Sequence, residues 1–137
     1  MKNKKVTFKP YEQNQGLLFP GYIDEQIPKD HLVRTISTVI DSLNLSQLED
    51  LYQGGGASSY HPRMMLKVLI YAYSQKIYSS RGIAKALREN IFFMWLSGKN
   101  TPDFRTINLF RKTRLSGELR RLFTEIVRIL LDGGYAR

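Results

Sequence analysis

The sequence predicts an all-α fold, a helical bundle of about six or seven helices. Apolar residues recur with the 3.6-residue period of amphipathic helices, and helix-starting signals precede most of these segments. No convincing run of alternating apolar and polar residues indicates a strand, and hairpin signals are lacking. With 137 residues, we expect an irregular N-terminal arm at residues 1–26 and one helical domain at residues 27–137.

The arm combines lysines with apolar side chains. Residues 2–9 are basic and extended, and Gly16, Pro20 and Gly21 interrupt the segment that follows. Its aromatic and aliphatic residues are too numerous for a fully disordered tail. We therefore expect the arm to lie partly on the domain, and contact with DNA is an alternative role for it.

The first helix is expected from about Pro28 or Asp30 to Leu43. Proline suits the first turn of a helix, and an aspartate there favours the positive end of the helix dipole. The 3.6-residue apolar stripe of this helix is Leu32, Ile36, Val39, Ile40 and Leu43.

A short second helix is expected at residues 46–52. Ser46 is its predicted N-cap, because Glu49 follows three residues later in a capping-box pattern. The triple glycine at residues 54–56 lacks the spacing and the Lys-Ser/Thr pair of a phosphate loop, so we interpret it as a linker.

The third helix, about residues 62–75, is apolar almost all round. Only Arg63, Lys67 and Ser74 form a narrow polar seam along it. A helix of this kind is typical of the buried centre of a bundle.

Three short helices are expected in the segment that follows. Ser79 or Ser80 caps the first of them, which ends near Asn90, and residues 91–96 form the second. Thr101 is the predicted cap of the third, with Pro102 at its first position.

A last helix is expected after Ser116, with Gly133 as its C-cap. Its apolar face comprises Leu119, Leu122, Phe123, Ile126, Val127 and Leu130. This face suits packing within the bundle, in a homodimer, or against a further domain.

The positive charge is concentrated in one half of the chain. Residues 1–60 hold 6 Lys/Arg and 7 Asp/Glu, whereas residues 61–137 hold 15 and 5, within a net charge of +9. A basic half-domain favours a polyanionic partner, of which nucleic acid is the commonest. A solubilising surface is the alternative interpretation.

The third of the short helices has a polar and basic side. At 100° per residue, Phe104, Ile107 and Phe110 fall together and should be buried, while Arg105, Asn108 and Lys112 fall together elsewhere. Three short helices separated by capped turns, the last of them polar and basic on one side, are the layout of a helix-turn-helix-like DNA-binding segment. Arginine can bind guanine and asparagine can bind adenine through two hydrogen bonds each.

Arg105 and Asn108 are therefore the predicted base-reading residues, with Thr106 a weaker candidate. Phosphate contacts are expected from the other basic residues and from the start of the helix at Ser79, where free backbone N–H groups meet a cation. The full predicted set is Ser79, Ser80, Arg81, Lys85, Arg105, Thr106, Asn108, Arg111, Lys112 and Arg114. The alternative is a solvated, arginine-rich helix in an ordinary bundle.

Catalysis is poorly supported by the residues. The chain has no cysteine, and His31 and His61 have no partner ligand at helical spacing. The twelve acidic residues form no obvious cluster for two-metal chemistry. No catalytic residue, metal site or cofactor is predicted. The longest apolar stretch, Met64 to Tyr73, is too short to cross a bilayer, and we expect no signal peptide and no membrane partner.

Two blocks of sequence resemble a known family. Residues 60–73, Tyr-His-Pro-Arg-Met-Met-Leu-Lys-Val-Leu-Ile-Tyr-Ala-Tyr, and residues 79–111, which include Ser-Ser-Arg-Gly-Ile-Ala-Lys-Ala-Leu and Thr-Pro-Asp-Phe-Arg-Thr-Ile-Asn-Leu-Phe-Arg, carry the similarity. They resemble the N-terminal domain of bacterial insertion-sequence transposases of the InsH type.

The resemblance implies a helical domain that binds double-stranded DNA at the terminal inverted repeats of the element. In such transposases, a ribonuclease-H-like domain with an Asp-Asp-Glu triad and two divalent metals such as Mg²⁺ follows. No carboxylate of this chain matches that triad, so we expect DNA binding without catalysis by this chain alone. A stand-alone DNA-binding regulator and a helical oligomerisation module are the alternatives, and a cytoplasmic, nucleoid-associated location is expected.

Overall fold

Seven α-helices make up most of the part of the chain that a computed structural model describes, which is residues 6–11, 13, 23–52 and 59–132. A short 3-10 helix, Ile23–Gln26, precedes them. The helices are α1 (Leu32–Asp41), α2 (Ser46–Glu49), α3 (Pro62–Ser74), α4 (Ser80–Glu89), α5 (Ile91–Leu96), α6 (Phe104–Thr113) and α7 (Gly117–Asp132). The described ranges contain no strand, so the all-α prediction is confirmed.

The central helix of the bundle is α3. Helices α1, α4, α5 and α7 all pack against it, and nearly all of its side chains are buried. The buried centre that the sequence predicted for this segment is therefore confirmed.

Two residues of the polar seam of α3, Arg63 and Lys67, face α1. Lys67 is only 1% exposed, and its ammonium lies 2.9 Å from the Asp41 carboxylate and 2.9 Å from the Ser37 hydroxyl. Arg63 donates hydrogen bonds to the carbonyl oxygens of Ile40 and Leu43, where α1 ends. The seam thus satisfies carbonyls that a helix C-terminus leaves without partners and fixes α1 on α3.

Both histidines cap helices. The Nδ1 atom of His31 accepts the backbone N–H of Val33 at 3.0 Å, and Nδ1 of His61 accepts that of Arg63 at 3.1 Å. The prediction that α1 begins at Pro28 or Asp30 was wrong, because His31 has extended backbone angles and supplies the cap itself.

Two predicted caps were also wrong. Leu45, not Ser46, precedes α2 as its N-cap, and the Asn44 side chain accepts the backbone N–H of Ser46. Asp103, not Thr101, caps α6 by accepting the N–H of Thr106 at 2.9 Å. In both places a side chain nearby in sequence had the better geometry for the free N–H groups.

The start of α4 agrees with the sequence, since the Ser79 hydroxyl accepts the backbone N–H of Gly82 at 3.0 Å. The start of α7 at Gly117 also follows the prediction. The triple glycine at residues 54–56 and the predicted C-cap at residue 133 lie outside the described residues.

The described part of the arm lies on the bundle. An isolated parallel bridge joins Phe8 to Ser59, with hydrogen bonds from Lys9 N to Ser59 O (2.7 Å) and from Ser59 N to Thr7 O (3.0 Å). The Tyr11 hydroxyl donates to the carbonyl oxygen of Leu96 at 2.8 Å. Contacts across the chain therefore fix residues 7–11 against the segment before α3 and the end of α5.

Candidate nucleic-acid interface

Helix α6 forms a ridge on the surface of the bundle. Ile107 and Phe110 are 1% and 4% exposed and hold the helix against the core. The opposite side carries Arg105, Asn108, Leu109, Lys112 and Thr113, all of them exposed. The structure therefore brings together three sequence-predicted contacts, Arg105, Asn108 and Lys112, on one exposed arc, which we call the α6 crest.

The start of α4 lies beside one flank of the crest. The Ser80 hydroxyl donates to the side-chain oxygen of Asn108 at 3.4 Å, and the Arg111 guanidinium donates to the same hydroxyl at 3.0 Å. Arg111 also donates to the carbonyl oxygen of Tyr78 at 2.9 Å. These bonds join the start of α4 and helix α6 into one surface. The sequence had assigned separate roles to the two segments.

Two guanidinium groups meet at one aromatic ring on this flank. The guanidinium carbon of Arg81 lies 3.8 Å from the centre of the Phe104 ring, and that of Arg105 lies 5.0 Å from it. Cations are attracted to the faces of aromatic rings, so Phe104 fixes both groups near the beginning of α6. Lys85 is exposed one turn further along α4 from Arg81.

Asp103 is the acidic residue next to this cationic pair. The backbone N–H of Thr106, which bonds its carboxylate, holds the pKa of Asp103 below its usual value. The carboxylate is thereby kept charged at the positive end of α6, where it stabilises the helix.

Arg111 and Arg114 differ from the other predicted cationic contacts because both are half-buried, whereas the others are exposed. Arg114 donates to the carbonyl oxygen of Leu51 at 2.9 Å, and its guanidinium lies 4.3 Å from the centre of the Tyr52 ring. Arg111 lies over the Tyr73 ring at 5.6 Å as well as bonding Ser80. The two arginines thus hold α6 to the bundle.

The other flank of the crest borders a groove of about 360 Å³. Its walls come from the arm, from Tyr52 after α2, from residues 59–60, from α3 and from α6. The lining residues are Lys9, Tyr52, Ser59, Tyr60, Met65, Thr106, Leu109, Phe110, Thr113 and Arg114. Thr106, a weaker base-reading candidate in the sequence, lies in this groove and is half-buried.

Two residues of this surface were missed by the sequence reasoning. Leu109 is 58% exposed on the side of the crest that borders the groove, and continued stepping around α6 would have found it. Lys9 reaches the surface only because the arm docks beside residue 59, and no local pattern indicates that contact.

His61 has a structural role as the cap of α3. Burial lowers the pKa of His61, with Arg63 and Lys67 acting in the same direction and Glu49 opposing them. Among the described residues, no group of three or more histidine, cysteine, aspartate or glutamate residues could hold a metal ion. Within the same part of the chain, no helix has the length and apolar character needed to cross a membrane.

The comparison with protein families gives a match. The model of the family described as "Transposase domain (DUF772)" matches residues 21–113, which is more than half of the chain. The matched segment contains α1 to α6 and therefore the whole α6 crest. No curated protein and no solved structure matches the chain.

Proposed function

Because the chain belongs to the DUF772 transposase-domain family, we propose that it is the DNA-binding domain of a transposase. Its target is the terminal inverted repeats of an insertion sequence. We assign the transposase to the InsH-type, Asp-Asp-Glu group on the sequence resemblance given above. In this proposal, the chain carries out no catalytic step and associates with the nucleoid.

The observation that carries the proposal is the α6 crest. An α-helix fits the major groove of B-DNA, where side chains can reach the donors and acceptors of base edges. Arg105 and Asn108 are exposed on α6 and carry the side chains best suited to guanine and adenine. In this proposal, α4, α5 and α6 act as a helix-turn-helix unit with α6 as the recognition helix.

The start of α4 supports a phosphate contact on one flank. Ser79, Ser80 and Arg81 lie there, beside the crest, and Lys85 follows on an exposed position of the same helix. Backbone N–H groups at a helix start and cationic side chains both favour phosphate oxygens. Such contacts would set the position of α6 in the groove without reading sequence.

The test is fluorescence-anisotropy binding of the chain to duplexes that carry the terminal repeats flanking its gene. Shuffled repeats of equal composition serve as the control, and titrations at about 50 mM and about 200 mM salt measure the electrostatic part. The proposal expects tighter binding to one true repeat and a loss of affinity at the higher salt. Equal affinity for true and shuffled repeats would remove the end-reading function.

The same binding would let this chain act alone as a regulator, by occupying the ends of the element and blocking an intact transposase. That variant of the proposal is tested by adding the chain to a strand-transfer reaction of the full-length enzyme. Inhibition that requires the repeats supports it, and an unaffected reaction excludes it.

An oligomerisation module is the second candidate function, favoured by exposed apolar residues on α7. Leu122, Ile129 and Leu131 are exposed there, Ile129 by 56%. Phe123 and Leu130 of the same helix are buried and pack with the core. Gel filtration with light scattering decides between the two, since a strict monomer at all concentrations excludes oligomerisation through α7.

A further inference from the structure

The α6 crest has an unassigned groove on the flank opposite α4. A helix in the major groove has a sugar–phosphate strand on each side, because the groove is bounded by both strands. The predicted contacts at the start of α4 serve only one of these strands. The groove between α6 and the arm lies where the second strand would pass.

The charge of the groove suits a phosphate backbone. Lys9 and Arg114 line it, and none of the described residues that line it is acidic. Asp103 acts electrostatically on Tyr60, but its side chain does not line the groove. The threonine hydroxyls of residues 106 and 113 and the hydroxyl of Ser59 supply further hydrogen-bonding groups along the walls.

The arm places Lys9 through its backbone. Its N–H donates to the carbonyl oxygen of Ser59, and its ammonium lies 5.4 Å from the centre of the Tyr60 ring. The aromatic contact orients the ammonium beside the groove, and within the described residues no ion pair joins Lys9 to a carboxylate. The ammonium is therefore available to an anionic ligand.

We infer that this groove is a second DNA-backbone site, in which Lys9 contacts a phosphate of the strand opposite the one held at the start of α4. The inference rests on the proposed function and adds to it a phosphate contact by Lys9, so that the DNA backbone is contacted on both flanks of α6. The arm thereby becomes part of the DNA-binding surface, and the Lys9 contact fixes the position of α6 without reading sequence.

The experiment compares Lys9→Gln with the wild-type chain on the duplex that the wild type binds best. Neutralising one phosphate contact should lower the slope of log affinity against log salt by about 0.9. Between about 50 mM and about 200 mM salt, the fold-loss of affinity of Lys9→Gln should therefore be roughly 3.5 times smaller than that of the wild type. Lys9→Arg keeps the charge and should keep the wild-type slope.

Lys29→Gln is the matched control, since it removes one positive charge from an exposed residue in another groove, beside Asp24 and Glu25. It should leave the slope unchanged. Phosphate-ethylation interference gives an independent readout: Lys9→Gln should lose interference on one strand only, while interference from the α4 flank remains. The backbone bridge at Lys9 needs no side chain, so the thermal midpoint should not change.

The outcomes separate the inference from the proposed function. If the wild type binds its repeat and Lys9→Gln changes neither the slope nor the interference pattern, the second site is excluded and the end-reading function stands. If the wild type binds no duplex at low salt, both the second backbone site and the proposed function are excluded. A slope reduced equally by Lys9→Gln and Lys29→Gln also overturns the inference, because it reflects net charge alone.

Discussion

The guanidinium of Arg111, near the end of α6, donates a 3.0 Å hydrogen bond to the hydroxyl of Ser80 at the start of α4. The same hydroxyl donates to the side chain of Asn108. This chain of bonds orients Asn108, a proposed base-reading residue, relative to Ser80, a proposed phosphate contact. The half-buried Arg111 thus holds the two residues of these proposed contacts in a fixed relative position.

Arg105→Ala tests base reading at the crest. We expect the loss of about 1–3 kcal/mol in binding to the preferred repeat and relaxed specificity at one base position. The measurement is anisotropy titration against a panel of single-base variants of the repeat. If every variant duplex loses affinity to the same degree, Arg105 contacts the backbone instead of a base.

Lys112→Ala tests a phosphate contact on the same helix. Lys112 is exposed, and a lysine that neutralises one phosphate should leave sequence preference intact when it is removed. We expect weaker binding to true and shuffled repeats alike and a salt slope lower by about 1. Lys29→Ala, in the groove beside Asp24 and Glu25, is the control and should bind like the wild type. An altered base preference in Lys112→Ala would contradict the assignment.

Arg111→Ala tests the structural role of the α4–α6 connection. Its guanidinium bonds the Tyr78 carbonyl and the Ser80 hydroxyl, so its loss should lower the free energy of unfolding by about 1–2 kcal/mol. Urea denaturation of the free protein measures this. The exposed Lys112→Ala is the comparison, with an expected change within about 0.5 kcal/mol. Equal free energies of unfolding for the two variants would show that the Arg111 contacts do not stabilise the fold.

Lys67→Met tests the cost of a buried charge. Burial lowers the pKa of Lys67 against the opposing effect of Asp41, so the charged form is disfavoured by its surroundings. Asp41 is about half exposed and can be hydrated without its partner, and Ser37 keeps a hydrogen bond from Gln13. We expect Lys67→Met to be as stable as the wild type or more stable, by up to about 2 kcal/mol.

Lys67→Ala is the matched control for that comparison. It also removes the buried stem, so the cavity should cost about 2 kcal/mol or more. Chemical denaturation of both variants gives the free energies of unfolding. If Lys67→Met is as destabilised as Lys67→Ala, the ion pair with Asp41 stabilises the fold and the argument from burial is wrong.

His61→Asn tests the pH dependence of the α3 cap. The folded-state pKa of His61 is depressed by burial, so its contribution to stability is present above the unfolded value of about 6.5 and is lost as the pH falls. Protonation of Nδ1 would also remove the acceptor for the Arg63 N–H. Asparagine caps helices without titrating in this range.

We expect the wild type to lose more stability than His61→Asn when the pH falls from about 8 to below about 6. Thermal midpoints measured across this range give the comparison, and the shared loss from carboxylates cancels between the two proteins. Parallel pH curves would mean that His61 has the same pKa in the folded and unfolded chain.

Local pattern determined the helices and the exposed side of α6. The all-α class, the buried centre at α3 and the placement of Arg105, Asn108 and Lys112 on one arc follow from the 3.6-residue period, which relates residues close in sequence. The predicted caps at Ser46 and Thr101 failed because several polar residues compete for the same N–H groups. Pattern alone does not rank them.

Contacts between distant residues were decided by the tertiary structure. Three such contacts join segments separated by many residues: Arg114 with Leu51, Lys67 with Asp41, and Lys9 with Ser59. Their geometry depends on how whole helices pack, and side chains of the same type and spacing would serve a different packing equally well. The sequence therefore determined which side of α6 is available, whereas packing decided which arginines hold that helix and what lies along each of its flanks.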